Sequence, residues 1–239
     1  MLEALARLGE TEAAPPAAIT RTGRLIFGLD LTQSREHSLG EARVATAAMF
    51  DAIKAIGRVA LKLVYYRGTD MQSTQWQFDP GALSGYMCRL SCESGYTQIA
   101  GFLRLVLEER EELSGVVFVG DDCEEDPEEL AGLARKLGEK KVPLFVFHEC
   151  ADNNAHSLTA KPVFKRMAQA SGGAYVEFKP DSGEVLRELL SSVAAFSAGG
   201  AQGVRRMALP QTTEARQLQG RLLLLGSGQP AAANGSERR

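Results

Sequence analysis

From Arg24 to about Phe196, short apolar runs of strand length alternate with segments whose apolar residues recur at helical spacing. RLIFGLD stops at Asp30. LGEARVATAAMFDAIKAIG has the helical period and closes on Gly57, a C-cap residue. VALKLVYYRG is again strand-like, and GVVFVG, VPLFVFH and AYVEF follow, each separated from the next by a helical segment. Parallel strands cannot be joined by a hairpin and need a crossover, so this order predicts an α/β fold. The expected form is a doubly wound, mostly parallel central sheet with helices on both faces. GVVFVG is apolar almost throughout, as a central strand buried on both faces must be. STQWQFD alternates polar and apolar residues, which suits one antiparallel, half-exposed edge strand.

Helix starts are marked by their caps. Asp79-Pro80 opens a short helix through Tyr86 and Arg89, with proline in the first turn. TQIAGFLRLVLEEREEL is strongly periodic. Asp126-Pro127-Glu128-Glu129 opens another helix, in which Asp126 caps and Glu129 reaches back. KPVFKRMAQAS ends at Gly172-Gly173, and Asp181 and Glu184 open a helix to about Phe196. The expected organisation is an N-terminal helix and AAPPAA linker over 1–22, one domain over 23–198, and a C-terminal part over 199–239. That last part has a Gly-rich stretch, a short helix in TEARQLQGRLLLL and a disordered polar tail, GQPAAANGSERR.

With 239 residues, 44% of them hydrophobic and 24% charged, the chain can bury a full-sized core. A net charge of −3 gives no basic field for nucleic acid. MLEALARLGE, interrupted by Glu3 and Glu10, does not read as a secretory signal, and no apolar run approaches the roughly 20 residues of a membrane span. The expected location is the cytoplasm, with Cys88, Cys92, Cys123 and Cys150 as free thiols.

In sheets of this kind ligands bind outside the carboxyl ends of the strands. Three pieces of sequence fall there. Asp30-Leu31-Thr32-Gln33-Ser34 follows the first strand directly, and in an extended loop its alternate residues point the same way. Thr97, in SGYTQI, stands where a helix begins. Asp121 follows GVVFVG. Two carboxylates and three hydroxyls make a set of hard oxygen donors, suited to Mg²⁺ or Mn²⁺ rather than zinc. The pattern resembles the metal-ion-dependent adhesion site (MIDAS) of von Willebrand factor A (VWA) domains: Asp-x-Ser-x-Ser after the first strand, a distant threonine, and a later aspartate after a central strand.

The resemblance implies metal ligation through the hydroxyls of Thr32, Ser34 and Thr97. It implies that Asp30 and Asp121 hold the cation's waters or touch it directly. With so few carboxylates the cation stays electrophilic, and an Asp or Glu of another protein completes its shell. The implied function is a protein-binding scaffold or assembly adaptor, not an enzyme, similar to bacterial cytoplasmic VWA proteins and including complexes with AAA ATPases. Two departures stand out. Thr32 replaces the usual serine, and Asp122 stands where the family has glycine. A metal-independent, degenerate VWA interaction module is the alternative.

Other readings are weaker. The acid-rich stretch Asp121–Glu129 places Asp126, Glu128 and Glu129 at a helix N-terminus, where acids are favourable, and leaves Glu124 and Glu125 open. His148, Cys150 and His156, with Cys88-x-x-x-Cys92, match no standard zinc spacing. Trp76 and Phe78 read as packing of the edge strand, and Arg67, Gly68 and Asp70 as rim. A phosphatase motif of the form Asp-x-Asp-x-Thr would need an acid where Thr32 stands. Neither a Gly-x-Gly-x-x-Gly after the first strand nor a P-loop is present.

Overall fold

The computed structural model describes residues 22–40, 43–44, 59–150 and 155–226. The expected N-terminal helix and linker, most of the helix read over 39–57 and the polar tail lie outside these residues; 39–40 and 43–44 are helical. The strands are β1 (Gly23–Asp30), β2 (Val59–Arg67), β3 (Asp70–Ser73), β4 (Gly115–Gly120), β5 (Leu144–Glu149) and β6 (Ala174–Phe178). The helices are α1 (Pro80–Met87), α2 (Ile99–Glu108), α3 (Pro127–Glu139), α4 (Ala155–Ala170), α5 (Gly183–Arg205) and α6 (Thr213–Gly226).

The strands form a single six-stranded sheet in the order β3-β2-β1-β4-β5-β6. All pairs are parallel except β2–β3. This is the expected α/β architecture. The antiparallel edge strand, however, is DMQS and not STQWQFD. Gly68, at φ +54°, allows a two-residue reversal straight after β2, so pairing resumes at once with Arg67 opposite Asp70. Gln77 makes only an isolated bridge to Leu61. The Arg-Gly-Thr-Asp turn was the missed signal.

The sheet separates two cores. On one face Leu25, Phe27 and Leu29 of β1 pack with Leu189 and Val193 of α5 and Leu218 and Leu222 of α6. On the other, Ile26, Val116 and Phe118 pack with α2, α3 and α4. All six residues of β4 are buried, as its composition requires. Phe118 stacks on Tyr66 and meets Phe102 and Phe164 at ring distances of 5.6 and 5.8 Å.

The C-terminal part differs from the reading. α5 passes Phe196 and reaches Arg205, broken by non-helical backbone at Gly199 and Gly200. Gly200, at φ +57° and ψ −145°, takes a conformation that suits glycine alone. α6 then folds back onto α5, and Ala215, Leu218 and Leu222 enter the core. The Glu188 carboxylate of α5 accepts from the backbone of Gln211 and Thr212 and so fastens the start of α6. The apolar stripe of this helix is legible in sequence; the surface that covers it is not. Gly23 lies so close to α5 that a Cβ there would sit 2.1 Å from the Ser197 carbonyl oxygen.

Candidate functional site

The order of strands reverses direction between β1 and β4, and the carboxyl end of such a junction is where this architecture leaves a crevice. Asp30 ends β1 fully buried. One carboxylate oxygen accepts the Thr32 N–H at 2.8 Å, an Asx turn. The other accepts the Tyr66 hydroxyl from β2 at 3.0 Å. Leu31 continues the pairing with β2 through the Tyr66 carbonyl, and Thr32 is still extended, at φ −68° and ψ 160°. The loop is not extended throughout. Gln33–Arg35 form a 3-10 turn, which folds Ser34 back until its hydroxyl lies 3.2 Å from that of Thr32. Ser34 also hydrogen-bonds to the Asp121 carboxylate.

Thr97 comes from a loop fixed on both sides. Glu93 pairs with Leu31 through backbone, and Arg67 holds the Glu93 carboxylate at 2.9 Å. Gly95 lies against Gly68: a Cβ on Gly95 would be 2.2 Å from the Gly68 carbonyl oxygen. Thr97 and Glu124 then bond reciprocally, each backbone N–H donating to the other's side chain at 3.2 Å. The Glu125 carboxylate accepts from the backbone N–H groups of Ile99 and Ala100 and caps α2 from outside its own chain segment. The acids that sequence left open are therefore a clip between the Thr97 loop and the loop after Asp121. In α3, Asp126 caps as expected, but Glu129 pairs with Arg104 instead of reaching back.

Thr32, Gln33, Ser34, Ser94, Gly95, Thr97, Asp122 and Glu124 line a cavity of about 350 Å³. Asp30 and Asp121 are not among its lining residues but are bonded to two of them, Asp30 to the Thr32 N–H and Asp121 to Ser34. Asp122 folds one carboxylate oxygen onto the Cys123 N–H at 2.7 Å and adds an acid to the wall.

Sequence reasoning missed Arg35 and the role of His148. Arg35, 2% exposed, donates to the Asp30 and Val119 carbonyls at 3.3 and 3.0 Å and to the Glu149 carboxylate at 2.8 Å. His148, at the end of β5, is fully buried. Its Nε2 faces the Asp121 carbonyl at 3.1 Å, and a carbonyl can only accept, so Nε2 carries the proton and Nδ1 accepts from Tyr175 at 2.8 Å. His148 therefore positions the backbone of Asp121. Its type was noticed in sequence; its partners were not, because they lie on other strands.

Burial pushes the Asp30 carboxyl up to about 6, against the opposing pull of the Arg35 charge. Asp121 is raised for the same reason and opposed by the same residue. Burial lowers His148 and so keeps it neutral.

No protein-family model matches the sequence, and no curated protein does. Solved structures do match. The BatB protein of Bacteroides thetaiotaomicron superposes with a TM-score of 0.56 at 13% identity, over 72% of this chain and 98% of that one. The VWA domain of SpRpn10 gives 0.54 at 14% identity, over 73% and 95%. The fold is that of a VWA domain. The structure of proximal thread matrix protein 1 from the mussel byssus with a zinc-occupied MIDAS motif gives 0.55 at 12% identity over 74% of this chain and 46% of that one.

The donor set in this VWA fold fits a hard cation. Hydroxyl oxygens from two loops line one cavity beside Asp122 and Glu124, and the buried carboxylates of Asp30 and Asp121 are bonded to that lining through Thr32 and Ser34, Asp30 already spending both oxygens on Thr32 and Tyr66. Among the described residues no group of three or more His, Cys, Asp or Glu is arranged to hold a metal ion. Any cation at this cavity depends on the hydroxyls. Of the residues weighed for zinc, His148 has both nitrogens engaged, Cys92 lies in the core, and the side chain of His156 is outside those described.

Proposed function

We propose that this chain is a divalent-cation-dependent protein-binding module, in which Mg²⁺ or Mn²⁺ held by Thr32, Ser34 and Thr97, with Asp30 and Asp121, receives an Asp or Glu side chain of a partner. The observation that supports it is the convergence of the Thr32, Ser34 and Thr97 hydroxyls on one cavity at the switch point of the sheet, with Asp30 and Asp121 bonded directly to Thr32 and Ser34. When bound, the cation would supply an electrophilic position for a carboxylate. The chain's own residues orient the donors: the Asx turn at Asp30 sets Thr32, the 3-10 turn sets Ser34, and the Glu124 clip sets Thr97. Tyr96, 78% exposed beside Thr97, is the kind of aromatic enriched at binding hot spots.

The reading is binding rather than catalysis. His148 is engaged on both nitrogens, and burial pushes the thiols of Cys123 and Cys150 up to about 11, so neither offers a ready base or thiolate at neutral pH. No helix among the described residues is long and apolar enough to cross a membrane; a cytoplasmic place and assembly with an AAA ATPase are expectations from the sequence alone. The metal-independent reading has its own support in Arg35, which already puts a positive charge beside both aspartates.

Mn²⁺ binding followed by electron paramagnetic resonance separates the two readings. Wild type and Thr97→Ser are expected to bind, and Thr97→Ala to bind at least about tenfold more weakly, since one oxygen ligand is lost with no change in net charge. Equal titrations for all three proteins would remove Thr97 from the ligand set. No binding by wild type at millimolar Mn²⁺ would leave the metal-independent module.

A further inference from the structure

Arg35 donates to acceptors at the ends of three neighbouring strands: the Asp30 carbonyl of β1, the Val119 carbonyl of β4 and the Glu149 carboxylate of β5. The ion pair with Glu149 is closed to solvent, with side chains 2% and 3% exposed. His37, largely exposed, approaches the same carboxylate at 3.9 Å. A guanidinium cannot lose its proton in a protein. Arg35 is therefore a permanent cation set into the protein beside Asp30 and Asp121. Two buried carboxylates close together repel each other, and a fixed positive charge relieves them with no need for an ion from solution. The same charge repels any divalent ion arriving at the cavity.

We propose that Arg35 is an internal counter-cation: it keeps the cradle of Asp30, Thr32, Ser34, Thr97 and Asp121 folded when no divalent ion is bound, and it sets how weakly that cradle holds one. The proposal rests on the metal-binding reading and adds what decides its affinity. Glu149, bound to the guanidinium, tempers the effect. Charge on Arg35 opposes the metal, charge on Glu149 assists it, and the Arg35 charge acts on both Asp30 and Asp121 and outweighs that of Glu149 at Asp121.

The two roles of Arg35, strand clamp and counter-cation, are separable by Mn²⁺ affinity in the full chain. Arg35→Gln combined with Glu149→Gln keeps net charge and buried hydrogen bonding but removes both ions. The counter-cation role requires this double variant to bind Mn²⁺ at least about tenfold more tightly than wild type, the scale of a nearby unit charge acting on a divalent ion at an effective dielectric constant near 20. Glu149→Gln alone, leaving Arg35 untempered, is expected to bind more weakly than wild type. Adding Thr97→Ala to the double variant should abolish the gain, which places the ion in the cradle. A pure strand clamp would make both variants weaker, and that order overturns the proposal while leaving the metal reading intact. No uptake by wild type overturns both. Should the double variant not fold, Arg35→Lys decides, because it keeps the charge and loses the fork: affinity close to wild type supports the counter-cation, and a large loss overturns it.

Discussion

Asp30 has no exposure to solvent, two hydrogen-bond donors on its oxygens and a guanidinium close by, yet burial still holds its carboxyl near 6. The folded state therefore binds this proton more tightly than the unfolded chain does. Stability from this group is complete below about pH 4 and is lost as pH rises through about 6. Without a cation, Asp30→Asn should relieve that loss, since the amide oxygen can still accept from Thr32 and the amide nitrogen can donate to Tyr66. The expected gain in EDTA at pH 7.5 is up to about 3 kcal/mol, from a shift of about two units. Urea denaturation of both proteins at pH 7.5 and at pH 4 checks it: the gain should disappear at pH 4. His148, lowered by burial, has the opposite pH dependence, but both proteins share it. At this scale the residues at strand ends were legible in sequence, because Asp30 and Asp121 each follow an apolar run and the hydroxyls stand at fixed offsets. Arg35 and Glu149 were not. They are 114 residues apart and meet only because β1, β4 and β5 are neighbours, and sequence does not state strand order.

The Thr97 loop has its geometry from contacts made by a different element. Helix α2 has no capping bond from its own N-cap residue, Gln98, and takes the Glu125 carboxylate instead. Glu125→Ala should then cost about 1 kcal/mol, as loss of a cap does. It should also speed amide exchange selectively at Ile99 and Ala100, whose donors it leaves without that acceptor. Exchange raised evenly over the whole sheet would point to global destabilisation rather than to a lost cap. Element type was well marked in the sequence: β4, β6 and α6 lie where periodicity put them. Boundaries shifted where the deciding contact was distant. α2 stops at Glu108, where Glu109 turns extended and pairs with Lys62 of β2, and the edge strand moved to the turn that Gly68 permits.

The two cores are of unequal origin. One is built from crossovers that lie between the strands in sequence; the other is completed by α5 and α6, which come after all of them. Leu222 of α6 is fully buried. Leu222→Ala should cost about 2–5 kcal/mol, with the loss visible as a lower urea midpoint and an unchanged slope. A chain ended after residue 198 should lose cooperative unfolding, because the core that α6 completes would face water. A result within 0.5 kcal/mol of wild type, about the size of a surface change, would show α6 to be peripheral.

The close seat of Gly23 against Ser197 has a consequence in time. β1, which ends in Asp30, is synthesised first, yet every neighbour it needs is made later: β2, then β4, then the stretch of α5 that leaves no room for a side chain at residue 23. Contacts so far apart along the chain form slowly, because long loops must close before any of them is rewarded. A ribosome emitting this chain therefore holds its first strand exposed until nearly the whole of the sheet and its last helices have emerged, and the aspartate at that strand's end stays in water until then.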